Sequence, residues 1–222
     1  MSLVLTGVYV MERRTELRGS YEVGVYDVNI TSAMRNKALE FAKGIILSDN
    51  QYSRLLPCEI RDSNNIVMQQ KIEVQRTYIG KLGELVFLTY LKEKGKSIDE
   101  TGMFDIYEGE ENVDNYDFIT SNNQTVDVKT GFRNIHKRLL INVEQFDNAN
   151  KDYYVAVKLN AQDVDSKNTL VDWDNITIGT VLGYAEYSFL AKYAKIQNFG
   201  EGPARYIEYN RLLGIDRLAR EF

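Results

Sequence analysis

Residues 126–130 read VDVKT, and the way these five residues are placed decides the fold. Side chains alternate along a strand, so Val126 and Val128 face one way and Asp127 and Lys129 the other. The valines suit a core. The carboxylate and the ammonium are either a solvated face carrying a local ion pair or part of a site. Immediately upstream, YDFIT (116–120) is another strand-like run, and the Asn-rich SNNQ (121–124) between them predicts a hairpin. That pairing sets Asp117 nearly opposite Asp127. Two like charges across a ladder destabilise it unless positive charge lies between them; a divalent cation would supply that, and so would Lys129.

Upstream of the hairpin, the spacing predicts a helix from about Ile66 to Lys94, ending at Gly95. Glu84 shares its face with Thr77, Gly80, Phe87, Leu88 and Leu91, all small or apolar. A carboxylate buried there needs a cation, a donor or a metal; at the helix edge it would instead reach water. The run MFDIYEG (103–109) reads as a further strand before the hairpin. Downstream follow the strand RLLINVEQ (138–145), a short helix in QFDNANK, a buried strand DYYVAVKL (152–159) and another in NITIGTVLGYAEY (175–187). NRLLGIDRLAREF (210–222) reads as a terminal helix. At the other end, LVLTGVYVM (3–11) and YEVGVYDVNIT (21–31) form a hairpin joined through ERRTELRGS, and SAMRNKALEFAKGIIL (32–47) a helix capped by Ser32. SDNQYSRLLPCEIRDSNN (48–65) reads as loop. The expectation is an α/β (α+β) fold with a central mixed sheet flanked by helices. Residues 1–65 form an accessory region packed on a core of 66–222, the whole making one domain.

Composition narrows the chemistry. With a single histidine and a single cysteine in 222 residues, polyhistidine zinc sites and C-x-x-C pairs are excluded, and Cys58 has only His136 as an imidazole partner. Any metal must be held by carboxylates, which favours a hard cation such as Mg²⁺ or Mn²⁺. No glycine-rich phosphate loop or G-x-G-x-x-G fingerprint is present, so no nucleotide cofactor is expected. No stretch is long and apolar enough to span a bilayer, and the first residues lack the order of a signal peptide. A cytoplasmic protein without membrane contact is therefore expected. The formal net charge of -5 weighs against a general nucleic-acid binder, although its distribution matters more than its sum.

Helical GKLGELVF (80–87), then YDF (116–118), then DVK (127–129) resembles the PD-(D/E)XK nuclease superfamily, which includes many type II restriction endonucleases. The resemblance covers roughly residues 66–190, and the order of elements is similar to that family's αβββαβ core. Tyr116 stands where the name-giving proline would be, a departure many members share. The Q-x-x-x-Y of a RecB-like subgroup is absent after Gln145. The resemblance implies Asp117 and Asp127 as metal ligands with the backbone carbonyl of Val128, Glu84 as a further ligand, direct or through water, and Lys129 as the residue that orients or deprotonates the attacking water. The implied activity is Mg²⁺-dependent hydrolysis of DNA phosphodiester bonds, with Mn²⁺ as a substitute.

Directly after the D-x-K pair, KTGFRNIHKR (129–138) carries five basic or imidazole side chains and no acid, whereas Glu108–Asp117 is strongly acidic. Under the same resemblance Arg133, Asn134, His136, Lys137 and Arg138 would grip double-stranded DNA, Arg133 and Asn134 reaching base edges. As plain residues they also suit a solvated loop. The aromatic run AEYSFLAKYAKIQNF (185–199) would stack on bases or fill a core. The function expected is a sequence-specific, restriction-like endonuclease acting as a homodimer. The alternatives are a catalytically inactive DNA-binding or structural protein of the same fold, a phage or repair structure-specific nuclease, and an unrelated assembly protein whose charges form a surface network.

Overall fold

A computed structural model describes residues 10–47, 56, 58–106, 116–165 and 169–222. Its N-terminal hairpin is made of β1 (Met11–Arg18) and β2 (Tyr21–Asn29), turning at Gly19-Ser20. The linker expected at 12–20 is therefore itself the first arm, and residues 3–9 lie outside those described. Charged MERRTELR holds as a strand because it is the sheet's edge, where alternate charges meet water and discourage further pairing. Arg14 forms a forked ion pair with Asp27 across the ladder.

Helix α1 (Ser32–Ile46) follows, capped by Thr31 rather than Ser32: the Thr31 hydroxyl accepts from the Met34 N–H at 3.2 Å. Within the segment read as loop, Cys58–Arg61 is a single helical turn, α2. The long helix α3 spans Ile66–Glu93, capped by the Asn65 side chain, with Gly95 in the left-handed region just beyond its end. The expected strand at 103–109 is absent where it is described; Met103 and Asp105 donate to Glu100 and Gly102 in successive turns, and residues 107–109 lie outside the described set.

The predicted hairpin is present: β3 (Phe118–Ile119) pairs antiparallel with β4 (Thr125–Gly131), with Phe118 opposite Val126. Strand β5 (Arg138–Asn142) and helix α4 (Val143–Asn148) then carry the chain to β6 (Tyr153–Leu159), which runs parallel to β4. A parallel pair needs such a crossover. Next come β7 (Ile178–Glu186), α5 (Tyr187–Tyr193), β8 (Lys195–Asn198) and β9 (Pro203–Glu208). The expected terminal helix is only the turn α6 (Ile215–Leu218), because Leu213 instead exchanges backbone hydrogen bonds with Tyr184. Strand β9 and its partner β8 were not expected at all.

The main sheet is mixed and six-stranded, in the order β1-β2-β7-β6-β4-β3; β5, β9 and β8 make a separate antiparallel sheet. The N-terminal hairpin is hydrogen-bonded into the main sheet through β2 and β7. One core lies between the sheet and the α1/α3 pair and takes Val155, Val157 and Leu159 from β6. A smaller core on the other face takes Tyr154 and Ala156, with Leu139, Phe146, Leu190 and Ile207. Because both faces of β6 are covered, its first five residues, Tyr153–Val157, read as an unbroken apolar run.

Candidate active site

Val126 and Val128 enter the core beneath α3, so alternation turns Asp127 and Lys129 to the opposite face of β4. The Lys129 ammonium lies 2.7 Å from Asp127 Oδ2 and 3.0 Å from Gln145 Oε1 on α4. Asp127 is buried, and its Oδ2 accepts no well-directed hydrogen bond, despite the nearby ammonium. An ionic contact supplies charge there without satisfying the lone pairs.

Asp117 occupies the residue before β3, and its position follows from how short that strand is. Val128 directs its N–H toward the edge where β3 has already ended, so no backbone carbonyl is opposite. Asp117 Oδ2 takes the N–H instead, at 2.7 Å. In a strand the N–H and C=O of one residue point to the same side, so the Val128 carbonyl shares this edge. The Asp117 carboxyl is held well above the usual carboxylate range, chiefly by burial and then by the nearby charges of Glu84 and Asp127. The Val128 N–H and Lys129 oppose that rise.

Glu84 arrives from the other direction, on α3. The helix passes so close to β4 that a Cβ on Gly83 would lie 1.9 Å from Thr130 Oγ1. Glycine at 83 is thus a condition for Glu84 to sit beside the hairpin. The Glu84 carboxylate is 2.5 Å from Lys81 Nζ, which also donates to the Met103 carbonyl at 3.0 Å and lies over the Phe41 ring. Lys81 stands inside GKLGELVF without being one of the residues the resemblance marks; its i, i+3 spacing to Glu84 is the sequence signal for the pair. The contact of Gln145 with Lys129 depends on where α4 lies relative to β4, which the local pattern of QFDNANK does not encode.

The four expected residues therefore gather around the start of β4, with Asp117 interacting with both Glu84 and Asp127. For a divalent cation the fit is partial. An unsatisfied buried oxygen on Asp127 and the electrostatic influence of Glu84 and Asp127 on Asp117 favour one, yet Glu84 and Asp127 each turn toward a lysine. Among the described residues no three of His, Cys, Asp and Glu converge as a ready metal-binding group.

The basic segment after β4 is less uniform than its composition. Asn134 and Lys137 are exposed. His136 points inward, its Nδ1 accepting from the Phe132 and Arg133 N–H groups at 3.2 and 3.4 Å while its ring meets Phe132 edge-on. Burial, then Lys158 and Arg133, push its pKa down to about 4, so it is neutral at pH 7. Arg133 is engaged by the Thr169 carbonyl and by Asp163, and Arg138 by Glu208. The aromatic run at 185–199 divides: Leu190 is core, and Tyr187 stacks on Phe146, whereas Tyr193 and Phe199 are exposed.

No helix among the described residues is long and apolar enough to cross a membrane. No family model, no curated protein and no solved structure matches the chain.

Proposed function

We propose that the chain is a Mg²⁺-dependent DNA endonuclease of the PD-(D/E)XK kind, restriction-like and acting as a homodimer on double-stranded DNA. The observation that carries this reading is the meeting of a helix glutamate, an edge-strand aspartate and a D-x-K pair in one electrostatic cluster. The chain order α3-β3-β4-β5-α4-β6 supports it; against a simple version stands β5, which pairs in the second sheet.

In this reading Asp117, Asp127, the Val128 carbonyl and Glu84 would hold Mg²⁺ or Mn²⁺. A divalent cation there supplies Lewis-acid stabilisation of a phosphate and a more acidic water. Lys129, steadied by Gln145, orients the attacking water and offsets charge developing on the phosphate oxygens. Asp127 holds the Lys129 ammonium on their shared face of β4. Asn134 and Lys137, both exposed, would touch the DNA backbone in this reading.

Plasmid DNA incubated with Mg²⁺, Mn²⁺ or EDTA tests this, with Asp127→Ala beside the wild type. Discrete metal-dependent fragments missing in the variant are expected; a smear missing in the variant would mean a non-specific nuclease. A second reading, a DNA-binding protein of this fold without cleavage, draws on Glu84 and Asp127 being already neutralised by Lys81 and Lys129. It requires DNA binding insensitive to Mg²⁺ and no nicking with any metal.

A further inference from the structure

Away from the carboxylate cluster, Arg76 on α3 and Arg133 beyond β4 line one cavity of about 470 Å³, with Ile72, Thr169, Glu59 and Glu201. Arg76 clasps the Glu201 carboxylate with both terminal nitrogens, one contact measuring 2.6 Å. Glu201 belongs to the loop between β8 and β9 and is flanked by Gly200 at φ +100° and Gly202 at φ +108°. Glycine takes such backbone angles at little steric cost, and both glycine N–H groups donate to Asn198 Oδ1, at 2.8 and 3.3 Å, which shapes the turn that presents the carboxylate.

Arg133 is mostly buried. One of its terminal nitrogens donates to the Thr169 carbonyl at 3.2 Å, Asp163 lies at 3.8 Å, and its Nε is buried without a hydrogen bond. Burial disfavours its charge; Asp163 compensates, while the nearby Arg76 works against it. Two guanidinium groups in one cavity repel unless anions lie with them; Glu59 and Glu201 are the carboxylates that line it, and Glu201 is the one Arg76 grips with its fork. The forked geometry in which Arg76 holds that carboxylate is the one in which arginine also holds a phosphate.

We propose that this cavity is a phosphate-binding site in its own right, with Glu201 as the resident competitor that a phosphate group displaces. It needs neither metal nor cleavage and so stands apart from the nuclease reading. The phosphate has two sources. Arg76 precedes Glu84 by eight residues, roughly 12 Å of helix axis, within reach of a nucleic-acid strand that also passes the carboxylate cluster. A free phosphate would meet the same two arginines.

Calorimetric titrations in EDTA of inorganic phosphate and of a short single-stranded oligodeoxynucleotide distinguish these sources. Glu201→Gln should tighten at least one probe by about tenfold and Arg76→Gln weaken it by about tenfold, the worth of one charge-assisted hydrogen bond. Arg76→Lys, which keeps the charge and loses the fork, should fall between, with unfolding midpoints confirming that each variant is folded. A response confined to phosphate assigns the free anion, and one confined to the oligonucleotide assigns a strand. Equal affinity in the wild type, Glu201→Gln and Arg76→Gln, or no binding of either probe, overturns the proposal. Plasmid cleavage with unresponsive binding would sink this inference alone; responsive binding without cleavage would sink the nuclease reading alone.

Discussion

Asp117 combines burial with two acidic neighbours, and the thermodynamic sign of that arrangement is testable. Its folded pKa lies above the unfolded value, so the native state binds the extra proton, and stability is lost as pH rises from about 4 through the folded value. Asp117→Asn keeps an oxygen for the Val128 N–H and removes the charge. We expect a higher unfolding midpoint than wild type at pH 7, with the gap closing toward pH 4; under the proposed function the same variant loses cleavage and any stabilisation by Mg²⁺. His136 has the opposite sense. Its depressed pKa means that the unfolded chain binds more protons between about pH 6.5 and 4, so stability falls as pH is lowered through that window. As the chain's single histidine, it gives one imidazole signal in a proton NMR titration, expected to move near pH 4; a midpoint near 6.5 would return His136 to the surface. Sequence alone made Arg133 and His136 look equivalent to Lys137, because composition records charge and says nothing of which side chain turns inward.

At the scale of elements, the contact between α3 and β4 positions Glu84. Gly83 touches Thr130, whereas a Cβ at Gly80, three residues earlier, would meet nothing within 4 Å. Gly80→Ala should therefore stabilise the protein by about 0.5–1 kcal/mol through helix propensity. Gly83→Ala should destabilise it by roughly 1–3 kcal/mol through overpacking and disturb the Glu84 site. Urea unfolding of the two variants checks the contrast, and equal effects would refute the close approach. Elements with a strong local pattern were legible beforehand: α3 from its length and its glycine stop, β6 from its apolar run, the β3–β4 hairpin from its Asn-rich turn. Strand β1 was not, since an edge strand is free to carry charge and then looks like a linker. The terminal NRLLGIDRLAREF misled in the other direction, because its helical spacing was overridden at Leu213 by backbone bonds to Tyr184.

Across the whole molecule, distant segments are tied together by a polar junction. Asp216 accepts from Tyr26 at 2.7 and 2.8 Å and from Tyr90 at 3.4 Å and pairs with Lys94 at 2.9 Å, joining the C-terminal turn to β2 and α3. Burial works against the Asp216 charge, but the Tyr26 and Lys94 hydrogen bonds outweigh it and lower its pKa. That contribution is present above about pH 4 and is lost as pH falls through the lowered value. Asp216→Ala should cost about 1–3 kcal/mol at neutral pH, measured by denaturant unfolding, with the difference shrinking in acid. The sequence by itself determined the alternation that separates Val126 and Val128 from Asp127 and Lys129, the hairpin that sets Asp117 against Asp127, and the absence of histidine and cysteine metal sites, all consequences of short-range periodicity and composition. Only the tertiary structure decided that Lys81 and Gln145 join the cluster, that β5 leaves the main sheet, and that Arg76 meets Arg133 and Glu201. Those contacts join residues through the packing of separate elements, and where two elements meet depends on the volumes of every side chain between them.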